Sequence, residues 1–183
     1  MSILSPGPSL ADRVAFIAGG RLVKCAADAE VAYCLKGMLY LSQTGYVLLS
    51  VSNAFVRGIF ANMHEPGVSL PLYPGTGGLN AHITVFRPEE VKQLGGAEKI
   101  TERGKQFAYT IGRLKTMEPG DAWPGVERVW FCHVHSPELQ ELRRSYGLDG
   151  FPNKGQNPFH IAVAVRKRGI LARNEKSKAD GSS

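Results

Sequence analysis

The chain has 183 residues, 43% apolar and 21% charged, the balance of an ordinary globular protein. Its formal net charge of +6 favours anionic partners such as nucleotides, RNA or DNA, although part of the excess crowds into "RKRGILARNEKSK". Cys25, Cys34 and Cys132 lack CxxC spacing, which argues against a disulfide framework, and no apolar run approaches the roughly 20 residues of a membrane helix.

In chain order, "MSILSPGPSL" lacks a basic segment followed by an apolar one, so no secretory signal is expected and the cytosol is the default. "LADRVAFIAGG" predicts a short helix ending at Gly19-Gly20. "AYCLKGMLYLS" and "YVLLSVS" read as two strands of a hairpin. "SNAFVRGIFANMHEPG" predicts a helix capped by Ser52, with Phe55, Ile59 and Met63 at helical spacing. The Pro/Gly-rich "VSLPLYPGTGGLNA" is a loop, and "HITVF" a strand that stops at Arg87-Pro88. "PEEVKQLGG" is a short helix with Pro at its first position, "QFAYTIGRLKTME" a strand and "RVWFCHV" another. "SPELQELRRSYG" is the strongest helix: Ser136 caps it, and Leu139, Leu142 and Tyr146 form its apolar stripe. A second Gly/Pro-rich loop, "LDGFPNKGQNP", leads to the strand "FHIAVAV". Residues 171–183 are expected to be a disordered basic tail.

The series strand, Ser-headed helix, Gly/Pro loop, histidine-bearing strand occurs twice, over residues 46–86 and 129–165. Two copies with intervening strands predict one α+β domain over residues 1–170. It would be bilobal, with two pseudo-symmetric halves, antiparallel sheets flanking a central cleft and helices outside. If a pseudo-twofold axis relates the halves, the two histidine strands lie side by side and their imidazoles face one cleft. Residues i and i+2 of a strand share a face, so His82 points with Thr84 and His160 with Ala162. A single strand histidine is more often structural than catalytic. The duplication is what shifts the weight to function.

"HITV" and "HIAV", 78 positions apart (82 to 160), resemble the two motifs of the two-histidine phosphoesterase superfamily, H-x-[ST]-x on central strands. The resemblance implies a bilobal fold and phosphodiester chemistry that needs no metal or other cofactor. Substrates in that superfamily include RNA 2′,3′-cyclic phosphates, 2′-5′ oligoadenylate and cyclic nucleotides, and some phage and viral members destroy cyclic oligonucleotide alarm signals of host immunity. By the same resemblance His82 and His160 would be the general acid/base pair, and Thr84 would hydrogen-bond a phosphate oxygen. Which histidine is the base is not legible in the sequence. Ala162 departs from the pattern because it has no hydroxyl. Lys154 or a backbone N–H of the preceding loop would replace it, the protein would be a weak enzyme or a binder, or the alanine would serve to trap a ligand. The first is favoured, and Ala162→Thr is then expected to keep or raise turnover.

Other features have competing readings. "HVHS" gives His133 and His135 a metal-ligand spacing, but Cys132 would point to the opposite face. One of these histidines is more readily placed at the cleft, and His135 joins Tyr73 and Lys154 as candidate substrate-binding residues, with Phe151 a possible base platform. "GTGGLNAH" lacks the P-loop pattern. Arg166, Lys167 and Arg168 would extend a positive rim or form a solvated strand end. Trp123 and Trp130 read as packing residues. The expected function is therefore a phosphoric diester hydrolase acting on a nucleotide, cyclic oligonucleotide or RNA, away from membranes. The alternative is a non-catalytic nucleotide- or nucleic-acid-binding protein of the same fold.

Overall fold

A computed structural model of the protein describes residues 21–24, 31–72, 78–120, 123–155 and 158–169. The helix expected at residues 10–20, the tail and Tyr73 lie outside them. The elements are β1 (Arg21–Lys24), β2 (Val31–Leu41), β3 (Val47–Ser50), α1 (Asn53–Phe60), β4 (Val68–Ser69) and β5 (His82–Phe86). They continue with α2 (Pro88–Gln93), a 3-10 turn (Ala97–Lys99), β6 (Gln106–Met117), β7 (Val126–His135), α3 (Pro137–Ser145) and β8 (His160–Lys167). The fold is a mixed one, α+β, and every strand pairing is antiparallel. No helix among the described residues is long and apolar enough to cross a membrane.

The strands run β4-β8-β7-β6-β2-β3-β5, with β1 also on β2. β2 joins the two halves of this path. Its residues Cys34–Met38 pair with β6, and Leu39–Leu41 pair with β3. Gly37 sits two residues before the partner changes, and any side chain there would collide with the Ser50 carbonyl and the Leu49 side chain. β5 ends the path and β8 lies one strand from its other end, yet β5 and β8 touch. The sheet therefore coils round until the two histidine strands meet.

Alternation along the strands explains which face is covered. Leu35, Leu39, Leu49, Ile83, Val85, Ile111, Cys132, Val134, Ile161 and Val163 all turn to one continuous core. α1 adds Phe55 and Ile59 to that core, and α3 adds Leu139 and Leu142. α1 packs on β8, while α3 packs on β5 and β6, so each helix supports the histidine strand of the other repeat. Ser136 caps α3 by accepting from the Leu139 N–H at 3.2 Å, and it donates to the Ala108 carbonyl at 2.7 Å. Ser52 takes the cap position of α1 without a side-chain cap bond. Its neighbour Asn53 instead accepts from the Ala81 N–H at 2.9 Å and so anchors the start of β5. Two short strands escaped the sequence reading. β1 had no clear alternation, and β4, at the start of the first Gly/Pro-rich loop, is only two residues long.

Candidate active site

The two repeats match residue by residue in their pairing. On one side Leu48, Leu49 and Ser50 face Thr84, Ile83 and His82. On the other, Phe131, Cys132 and His133 face Ala162, Ile161 and His160. The next residue closes each pair in the same way: the Val51 N–H donates to the Ala81 carbonyl at 2.9 Å and the Val134 N–H to the Phe159 carbonyl at 2.8 Å. Ile83 and Ile161 are wholly buried, which leaves His82, Thr84 and His160 on the opposite, partly open face.

Both imidazoles are oriented alike. His82 Nδ1 lies 2.7 Å from the Asn80 carbonyl, and His160 Nδ1 lies 2.9 Å from the Pro158 carbonyl, in each case two residues back. A carbonyl can only accept, so each Nδ1 carries a proton and Nε2 holds the lone pair of the neutral ring. Asn80 adopts a left-handed conformation (φ 39°), which asparagine tolerates better than most residues, and this turn brings its carbonyl under the ring. Burial pushes the His82 pKa below its ordinary value. The Asn80 bond partly offsets that, and positive charge on His160 lowers it further. The two histidine strands are in contact, so both rings belong to one site.

His133 stands directly across from His160, and the Phe131 ring meets both edge-on, with centroids 5.3 Å from His133 and 5.6 Å from His160. Burial, Lys115 and His160 together lower the His133 pKa. His135, two residues further on, is exposed and pairs with Thr110. Lys154 is exposed in a left-handed turn (φ 53°). Ala162 is 8% exposed and belongs to a small apolar cluster with Val129, Val165 and Phe131. Phe151 packs on Phe159 at 5.4 Å and borders the core, so it is a packing residue and not an open base platform. Arg166 departs from both expectations for the basic run. It is buried, stacked over Trp130 at 5.1 Å and paired with Glu65 and Glu127 at 3.6 and 3.7 Å.

Cys132 faces the core, where burial pushes its thiol up to about 12, so it is unsuited to ligate a metal beside His133. Among the described residues no three His, Cys, Asp or Glu side chains converge as a metal site requires. A hollow of about 570 Å³ lies along α3, lined by Phe107, Pro137, Glu138 and Leu142 among others; it is shallow and contains neither motif histidine.

The geometry of the histidine strands depends on a residue that the apolar stripe of α3 did not reveal. Arg143 is fully buried, and all five of its N–H donors are used. Nε donates to the Asp149 carbonyl at 2.7 Å. Nη1 donates to the Val85 carbonyl at 2.6 Å and to Glu90 Oε2 at 2.9 Å. Nη2 donates to Glu90 Oε1 at 2.8 Å and to the Phe151 carbonyl at 2.9 Å. One guanidinium therefore ties β5, α2 and the loop that leads to β8. Burial raises the Glu90 pKa, but the Arg143 bonds and the Arg87 N–H outweigh it and hold the carboxyl below its usual range. Sequence patterning gives no sign of this, because an arginine beside Leu142 reads as an exposed helix residue.

A curled antiparallel sheet that brings two similarly held imidazoles together is a scaffold for paired proton transfer. The family model described as the Swiss Army Knife, 2H phosphoesterase domain matches residues 47–171, from β3 through β8, and the chain belongs to that family. Its members are generally phosphodiesterases, so phosphodiester hydrolysis is the activity that membership indicates. No curated protein and no solved structure matches the chain.

Proposed function

We propose that the protein is a metal-independent phosphodiesterase that hydrolyses a cyclic or 2′-linked phosphodiester in a nucleotide or oligonucleotide. His82 and His160 are its acid/base pair, set between two pseudo-symmetric lobes of one domain. The observation that supports this best is the matched Nδ1 bond on each ring, which directs the proton chemistry of both residues to Nε2. The lowered pKa of His82 keeps its ring neutral near pH 7. His82 Nε2 then takes a proton from the attacking water as its oxygen bonds to phosphorus. His160, as imidazolium, gives its Nε2 proton to the ribose oxygen as the P–O bond breaks. Exchange with solvent returns the pair to its starting state. Thr84, on the same face as His82, donates its hydroxyl to a non-bridging oxygen where charge builds. The net charge of +6 suits the anionic substrate.

The test is a panel of RNA ending in 2′,3′-cyclic phosphate, 2′-5′ oligoadenylate and cyclic dinucleotides, with and without chelator. At least one is turned over in both conditions. His82→Ala and His160→Ala each reduce that turnover by about 10² to 10⁴ while circular dichroism stays native. A chelator that abolishes turnover, or histidine variants that keep it, would overturn the mechanism. Ala162 alone favours the second reading, a nucleotide- or nucleic-acid-binding protein of the same fold. It predicts salt-dependent binding with no turnover anywhere in the panel.

A further inference from the structure

The matched register extends one strand further out, and there the two halves differ in a telling way. In the first half the row across the open face is Tyr40 on β2, Leu48 on β3 and Thr84 on β5. In the second half the equivalent row is Lys115 on β6, Phe131 on β7 and Ala162 on β8. One half has phenol, isobutyl and hydroxyl in sequence; the other has ammonium, phenyl and methyl. The hydroxyl missing from β8 is thus accompanied by a cation at the far end of the same row. Neighbouring strands lie about 4.8 Å apart, so Lys115 begins roughly 10 Å from Ala162, a gap that its flexible four-carbon stem largely spans. The Lys115 side chain is exposed and makes no ion pair or hydrogen bond among the described residues. Its charge is felt at His133, which faces His160.

We propose that Lys115 binds the non-bridging phosphate oxygens of the nucleotide on the His160 side, in place of the hydroxyl that Ala162 lacks, with Phe131 as the apolar floor between them. Ala162 is then a relocation of the phosphate contact and not a defect. The ligand class is a nucleotide phosphomonoester or phosphodiester whose anionic oxygens sit between the Lys115 ammonium and the His160 strand. A lysine brings a full positive charge to the phosphate where a threonine brings only a hydroxyl donor, and such a charged hydrogen bond is worth about tenfold or more in affinity.

The inference rests on the phosphodiesterase reading for its catalytic consequence but not for its binding consequence, and the test separates the two. Adenosine 2′-monophosphate is titrated into the full chain by calorimetry, and 2′,3′-cyclic adenosine monophosphate is used for turnover. Lys115→Met is expected to weaken binding of the monophosphate about tenfold and to lower kcat/KM by a similar factor. Lys115→Arg, which keeps the charge, is expected to stay within about threefold of the natural protein. Lys92→Met, a charge control exposed on α2, is expected to change neither by more than about twofold. Equal losses in Lys115→Met and Lys92→Met would reduce the effect to overall charge and overturn the proposal. So would unchanged binding in Lys115→Met, or no binding of the monophosphate by the natural protein. Binding that depends on Lys115, with turnover indifferent to His82→Ala, would instead sink the phosphodiesterase mechanism and leave the anion site standing.

Discussion

Arg143→Met removes five donors from a buried site in one step. The Glu90 carboxylate, 14% exposed, loses its cation, and the Val85, Asp149 and Phe151 carbonyls lose their donor. Breaking a buried ion pair from one side costs about 3–5 kcal/mol, because the remaining charge stays desolvated. A stranded buried acceptor adds about 1 kcal/mol or more, less where water can enter. The sum is a loss of at least about 4 kcal/mol, a fall in Tm on the order of 10 °C for a chain of this size. Urea unfolding followed by tryptophan fluorescence measures it. Glu90→Met in the same background should give back part of the loss, with a coupling energy of about 2 kcal/mol or more in the double-mutant cycle. The pair also gives stability a sign with pH. The folded carboxyl titrates below its usual value, so its contribution is full at neutral pH and drains as pH falls below about 4.5 toward the folded pKa. Arg143→Met should flatten that acid limb. A loss under about 1 kcal/mol, an additive cycle, or an unchanged acid limb would refute the view that this one guanidinium holds β5 to the loop before β8.

His160→Gln should move the His82 pKa upward, because a charge that now opposes its protonation is gone; proton NMR titration of the His82 ring reads this, and a downward or absent shift contradicts the coupling. Sequence alone leads one to expect that Ala162→Thr keeps or raises turnover, and the structure changes that expectation. Ala162 is packed against Phe131, and two added heavy atoms there overpack the cluster at a cost of about 1–3 kcal/mol. Ala162→Thr alone should lower Tm and turnover, whereas Phe131→Leu with Ala162→Thr recreates the Leu48–Thr84 pair and should recover stability. A single variant as stable as the natural protein would show that the ring yields freely.

Elements that obey a short-range rule were legible in the residues alone. Alternation at Ile83, Val85, Ile161 and Val163 made the histidine strands visible, since a period of two sends those side chains to the core and leaves His82 and His160 opposite. Ser136 followed by Pro137 and the leucine stripe made α3 visible for equally local reasons, and the duplicated His-Ile-x-Val pattern pointed to a paired site. Long-range partners decided the rest. Only the coiled path of the sheet shows that β5 and β8 meet, because contact between strands at opposite ends of a sheet depends on accumulated twist and carries no local signature. Only the register shows that His133, and not His135, stands across from His160, since two histidines two residues apart share a face whichever of them reaches the cleft. The same holds for Arg143 and Arg166. Both look like surface charges in the sequence, and both are buried because carboxylates, carbonyls or an aromatic ring distant in the chain converge on them.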